Sequence, residues 1–280
     1  MAEAAASHRS RVPWALAVIV GLCSGLAGYV IHAARVNRIP KQVVTVQRLT
    51  DMAGTEESPA ISPDGKKVAF VALSGGKRQI WVGSAITKDD ADHYGPRWAP
   101  DSKSLIYFAS GAIWEIPAVG GETRKLVDAL GPGDLSSDGK LAFFRRDDGA
   151  VELLVDARTV AKLTAGTYSN LRWSRDDRKI AYLEDTRIMV VNASGGNPVQ
   201  VAQGLTVQGF AWAPDNSGLI ASTHGELWFI PRKEGSSPSQ LTFGELSYES
   251  PDISADGRVV VSRSGLGADV DMVMFSGLKW

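Results

Sequence analysis

Ile61-Ser62-Pro63-Asp64-Gly65, followed by the apolar runs Val68-Ala69-Phe70-Val71 and Ile80-Trp81-Val82, is the stretch that decides the fold. Pro63 pre-sets its own backbone angle, Asp64 can accept nearby backbone N–H groups, and Gly65 tolerates a left-handed conformation. The pentapeptide therefore reads as a tight turn between two strands. The element returns as Trp98-Ala99-Pro100-Asp101-Ser102, Leu135-Ser136-Ser137-Asp138-Gly139 and Trp173-Ser174-Arg175-Asp176-Asp177. It returns again as Trp212-Ala213-Pro214-Asp215-Asn216 and Ile253-Ser254-Ala255-Asp256-Gly257. The turn aspartates stand at 64, 101, 138, 176, 215 and 256, spaced by 37, 37, 38, 39 and 41 residues. One such turn would mean little, but six copies at this period mark a repeat architecture.

Each copy has one internal plan. A short strand precedes the turn. A second follows it, as in Leu105-Ile106-Tyr107-Phe108, and a third comes later, as in Ile113-Trp114-Glu115-Ile116 or Leu227-Trp228-Phe229-Ile230. A fourth ends in Lys125-Leu126, Leu163-Thr164, Val199-Gln200-Val201 or Leu241-Thr242. Four short antiparallel strands per repeat predict a propeller blade. The sixth copy runs out after Met272-Val273-Met274-Phe275. Residues 43–50 read as an orphan fourth strand, with Thr50 placed 14 residues before Asp64 as Thr242 is before Asp256. The expectation is that 43–50 close the last blade and hide two strand edges. The fold class expected is thus all-β: a six-bladed β-propeller of four-stranded antiparallel blades over residues 43–280.

The Trp-Ala-Pro-Asp and Ile-Trp-Val signatures resemble those of the TolB-like six-bladed propellers, a family of WD-like repeats. The resemblance covers residues 43–280. It implies fold more than function, and the short 35–42 linker argues against TolB itself, which carries an α/β domain before its propeller. A closer likeness is the sensor half of bacterial one-chain receptors, in which a winged-helix or Ser/Thr kinase domain precedes one membrane helix and such a propeller. The chain begins a dozen residues before its apolar run, which leaves no room for either output domain.

That apolar run is residues 13–34, between a short tail (1–12) and the linker. It holds no formal charge over 22 residues, long enough to cross the hydrocarbon core as a helix. The alternatives are a cleaved signal, for which Ile31-His32-Ala33 is a poor site, and a buried core helix. Arg9 and Arg11 on one side oppose Arg35, Arg38 and Lys41 on the other, so charge alone does not orient the segment. The likeness to receptor sensors implies a periplasmic or extracellular propeller. Residues 1–41 carry a net charge of +4 with Glu3 counted, which leaves −5 for residues 42–280 out of the total of −1. A mildly acidic body argues against a nucleic-acid partner. Cys23 is the only cysteine, which excludes an internal disulfide and a cysteine zinc site.

Motifs for chemistry are scarce. No Gly-x-Ser-x-Gly, Walker loop, Gly-x-Gly-x-x-Gly or His-Glu-x-x-His occurs. The expectations are no catalytic residues, no metal, no cofactor, and a chain that is not an enzyme. Asp64, Asp101, Asp138, Asp176, Asp215 and Asp256 read as structural turn residues. Trp81, Trp98, Trp114, Trp173, Trp212 and Trp228 read as packing between blades.

The position four before each turn aspartate reads Ala60, Arg97, Asp134, Arg172, Ala211, Asp252. Alternation on a strand puts this set opposite the Trp98 and Trp173 row, facing a central channel. Buried charges must be paired or wetted. Arg97, Asp134 and Arg172 on successive blades are expected either to satisfy one another as channel salt bridges or to form a binding mouth with Asp252. Loops before the inner strands add Glu57, His93, Tyr94, Tyr168, Tyr248 and Glu249, and three tyrosines suit a protein-binding surface. The function expected is a membrane-anchored, non-catalytic extracytoplasmic module that binds an envelope protein or peptide. The alternatives are the ligand-sensing part of a one-chain receptor and, behind it, a hydrolase or lyase at the channel mouth.

Overall fold

A computed structural model describes residues 44–164, 166–233, 235–265 and 269–280. The tail at 1–12, the helix expected at 13–34 and the linker at 35–42 lie outside the described residues. Among the described residues, no helix is long and apolar enough to cross a membrane.

The chain from Val44 to Trp280 forms six antiparallel sheets of four strands each. The first blade is β2 (Glu56–Ile61), β3 (Val68–Ser74), β4 (Lys77–Val82) and β5 (Ser84–Ala85). The second is β6 (Tyr94–Trp98), β7 (Ser104–Ala109), β8 (Ala112–Pro117) and β9 (Arg124–Asp128). The third is β10 (Asp134–Leu135), β11 (Leu141–Asp147), β12 (Ala150–Val155) and β13 (Arg158–Leu163). The fourth is β14 (Tyr168–Trp173), β15 (Lys179–Glu184), β16 (Arg187–Asn192) and β17 (Val199–Val201). The fifth is β18 (Gly209–Trp212), β19 (Gly218–Thr223), β20 (Glu226–Pro231) and β21 (Ser239–Gln240). The sixth is β22 (Ser247–Ile253), β23 (Val259–Ser264) and β24 (Val270–Ser276), completed by β1 (Thr45–Arg48).

Strand β1 pairs with β24 from Thr45↔Ser276 to Arg48↔Val273. Arg48 and Arg263 both grip the buried carboxylate of Asp271, at 2.7 and 2.6 Å, so the closing strand is tied to its blade by charge as well as by the ladder. The expected fourth strand at Leu241-Thr242 falls instead at Ser239–Gln240. There the Thr242 hydroxyl accepts the Leu227 N–H, taking over the ladder bond with a side chain.

The core is divided among the blade interfaces. Six apolar clusters occur, each formed by two neighbouring blades. Trp98 and Trp114 sit in the first–second interface, Trp173 in the third–fourth, Trp212 in the fourth–fifth and Trp81 in the sixth–first; Trp228 belongs to none. Trp98 and Trp212 also use their indole N–H groups, donating to Ala60 O and Arg172 O of the preceding blade. Each large ring thus buries apolar area and satisfies a backbone carbonyl at the same interface.

The turn aspartates hold their own loops. In the first, third, fourth and sixth copies a serine hydroxyl two residues earlier donates to Oδ1 of Asp64, Asp138, Asp176 or Asp256. Asp101 and Asp215 accept the N–H two residues later, both at 2.9 Å. Serine donation holds the carboxyls of Asp64, Asp176 and Asp256 below the usual carboxylate range.

Candidate functional site

The inner strands β2, β6, β10, β14, β18 and β22 line an axial channel with two unlike ends. At the end reached by the repeat turns, a cavity of about 300 Å³ is walled by Trp98, Trp173 and Trp212. At the other end, where the inner strands begin, a cavity of about 450 Å³ opens between Tyr94, Tyr168, Phe108, Leu130 and Pro132. Arg97 and Arg172 line both and form the waist.

The wide end is shaped by β-bulges. The pairing register slips between Glu57 and Ala60, Tyr94 and Arg97, Ser169 and Arg172, and Glu249 and Asp252. Within those slips, Ser58, Gly95, Asn170 and Ser250 take φ of 55°, 53°, 48° and 51°. All four stand six before their turn aspartate and line the wide cavity. A bulge leaves one residue outside the ladder and re-aims the strand, so peptide groups face the channel here. At Gly95 an added Cβ would meet the Pro132 ring at 2.6 Å, which bars a side chain on steric as well as conformational grounds.

The channel charges do not pair as expected. No ion pair within 4.0 Å joins Arg97, Asp134, Arg172 or Asp252. The aspartates are spent on the ring itself: Asp134 Oδ2 accepts the Trp173 N–H and Asp252 Oδ2 accepts the Ile61 N–H, each at 2.8 Å and each from the next blade. Those bonds aim both carboxylates at the next blade and no close salt bridge forms, so the self-satisfied Arg97–Asp134–Arg172 run is corrected to aspartate staples between blades. Burial pushes Asp134 up to about 6, against the pull of Arg97, and also raises Asp252. Arg97 donates to its neighbour Pro96 O at 2.6 Å and feels Asp252 and Asp134 as opposite charges.

Arg172 is different. It is 5% exposed, and its Nε and Nη1 have no partner. Arg97 Nε and the Trp173 indole Nε1 are also unpartnered, and all three residues line the 300 Å³ cavity. The waist therefore buries several unpartnered N–H donors and holds one guanidinium without a close carboxylate. Arg175, which stands where three other repeats have proline, reaches across from the fourth blade and donates to Ile253 O of the sixth. Its side chain spans the turn end of the channel.

Of the expected mouth residues, Tyr94 and Tyr168 line the wide cavity. Four do not. Glu57 is held by Arg78, Nε to Oε1 at 2.6 Å. His93 is fully buried, with Nδ1 2.9 Å from Arg78 O and its ring against Tyr107. Tyr248 packs edge-on against Phe275 inside the fifth–sixth cluster. Glu249 is exposed but stands on the far side of its bulge from the channel lining, where Ser250 takes the place. The bulges interrupt the alternation, so the face a side chain meets upstream of them does not follow by counting from the turn aspartate. Among the described residues, no group of three or more His, Cys, Asp or Glu could hold a metal ion.

No protein-family model matches the sequence, and a search of curated proteins finds no match. Solved structures do match in fold. A gluconolactonase from Xanthomonas campestris aligns with a TM-score of 0.62 at 15% identity, over 84% of this chain and 90% of that one. An oligogalacturonate lyase in complex with manganese aligns at 0.57 and 15% identity, over 86% and 94%. TolB from Acinetobacter baumannii aligns at 0.54 and 15% identity, over 82% of this chain and 66% of that protein. Two of these neighbours are enzymes, so the expectation that the chain is not an enzyme is corrected: this architecture supports turnover as well as binding. At such low identity the likeness shows the fold, a TolB-like six-bladed β-propeller.

Proposed function

We propose that this chain is a binding propeller that takes a carboxylate-bearing group of an envelope protein or peptide into its axial channel. The observation that carries the reading is Arg172. A guanidinium buried to this degree without a close carboxylate is costly, and an incoming anion would offset that cost. Arg172 Nε and Nη1, Arg97 Nε and Trp173 Nε1 offer donors to such an anion, and a planar guanidinium suits a carboxylate. Entry is from the bulged end, since Arg175 spans the other. Tyr94 and Tyr168 at the entrance give the partner broad apolar area with polar tips. Residues 13–34 would tether the propeller to a membrane and place it outside the cytoplasm.

The test is chemical crosslinking of the full chain in membranes of its host, with the captured proteins identified by mass spectrometry, beside an Arg172→Ala variant. The reading expects an envelope protein that is recovered with the parent chain and lost with the variant. Recovery of the same proteins by both would refute it.

A further inference from the structure

A second recess lies on the turn side between the fourth and fifth blades, separated from the turn-end cavity of the channel by Trp212, which lines both. It holds about 390 Å³ and is floored by Trp212, Leu219 and Ile230, all buried. Val190, Val199 and Val201 form one wall, and Val199 is 63% exposed. The ionisable residues that line it are Lys179 and Arg232, both basic, with Asn192 and Asn197 beside them. No carboxylate lines it, although the propeller as a whole is acidic.

One feature leaves this groove open: strand β17 is only three residues long, whereas β13 of the preceding blade has six. The recess between the third and fourth blades, about 510 Å³, differs in charge: Asp138, Asp156 and Asp177 line it, and Arg158 crosses it to donate to Ala193 O at 2.6 Å and Ser194 O at 3.0 Å.

We propose that the groove between the fourth and fifth blades docks an extended segment of a partner protein in which an apolar side chain stands next to a carboxylate. The apolar side chain covers Trp212, Leu219 and Val199, and the carboxylate meets Arg232 and Lys179. Lys179 Nζ is 3.0 Å from Asn192 Oδ1, so it is already aimed along the rim. Charge selects the partner: the ionisable lining of this recess is wholly basic, so an acidic segment is attracted to it. The docking site shares Trp212 with the turn-end cavity of the channel but uses the side chain of neither Arg97 nor Arg172.

The test pans a phage-displayed random dodecapeptide library on the full chain, with a Val199→Glu, Arg232→Glu double variant as counter-selection. Both side chains are exposed, and an unchanged melting temperature verifies that the variant folds. Clones kept by the parent and lost by the variant are expected to carry aspartate or glutamate adjacent to leucine, isoleucine or phenylalanine. A synthetic copy should bind the double variant about tenfold more weakly or worse and bind Arg172→Met unchanged. The proposal is overturned if no clone separates parent from variant, or if the clones that do lack an acidic residue. It is also overturned if binding depends on Arg172, which would assign the peptide to the channel. Self-association of the chain that Val199→Glu abolishes would overturn it too, since the occupant would then be a second copy.

Discussion

The two ends of the channel are made by opposite uses of the same strands. At the turn end, the inner strands finish on a repeated pattern: a ring or aliphatic side chain, a small residue, a turn aspartate. Every blade contributes a turn aspartate there, held by a serine hydroxyl in four copies and by a backbone N–H two residues later in the copies of Asp101 and Asp215. At the bulged end, the strands begin with residues in left-handed conformations that differ from blade to blade: Ser58, Gly95, Asn170, Ser250. The difference teaches that repetition builds the ring and departure from repetition builds the site. Arg97 and Arg172, where two other copies have alanine, and Arg175, where three have proline, are departures of the same kind.

That contrast can be broken most easily with aromatic truncation. Trp98→Ala at the turn end removes a ring that is 7% exposed and its bond to Ala60 O, and should cost about 3–5 kcal/mol by denaturant titration. Tyr94→Ala at the bulged end removes a ring 39% exposed and should cost well under about 1 kcal/mol, while weakening capture of the crosslinked partner. Equal losses of stability at the two ends would dissolve the distinction.

A smaller effect separates the serines. Ser254 is 2% exposed, donates to Asp256 and accepts the Arg258 N–H at 3.1 Å, so Ser254→Ala should destabilise by about 1–3 kcal/mol. Ser250 sits at φ 51°, where glycine is at ease, so Ser250→Gly should be neutral or stabilise by up to about 1 kcal/mol. Chemical denaturation of both variants checks the opposite signs.

The waist between the ends should respond to pH. Asp134 titrates near 6 in the folded chain against an ordinary value of 3.8. The folded state therefore holds a proton that the unfolded state releases, and this carboxyl lowers stability as pH rises from about 4 to about 6. The turn carboxyls, held low, act in the other sense and below that window. The melting temperature of Asp134→Asn relative to the parent should climb between about pH 4 and pH 6 and then level off. A flat difference across that range would remove Asp134 from the waist. Because a protonated Asp134 also leaves Arg97 less opposed, anion capture should strengthen below about pH 6.

The ring was legible because the turn aspartates recur at 37 to 41 residues and the strands alternate around them. Four channel-facing charges were legible from the same phase: Arg97, Asp134, Arg172 and Asp252 all line the turn-end cavity. Their partners were not. Nothing in the order of residues says that Asp134 and Asp252 will accept backbone N–H groups of the next blade rather than meet an arginine. The mouth was only partly legible, because each bulge inserts a residue that interrupts the alternation upstream of it. Tyr94 lines the channel while Glu57 and Glu249, at the same place in their repeats, do not, and the bulge residues Ser58, Asn170 and Ser250 line it as well. A serine or glycine followed by proline, at Ser58-Pro59, Gly95-Pro96 and Ser250-Pro251, was the available signal for those bulges. Arg175 was visible as the odd member of its turn, but its reach to the sixth blade depends on the closed ring.

The most direct measurement is the melting temperature of Arg172→Met against the parent chain, both without ligand. If Arg172 is a cation held for an incoming anion, replacing it with an apolar side chain of similar length removes an unpaired buried charge and raises the melting temperature by about 2–4 °C or more. If the melting temperature falls instead, Arg172 is part of what holds the ring together, and the channel is not the anion site described here.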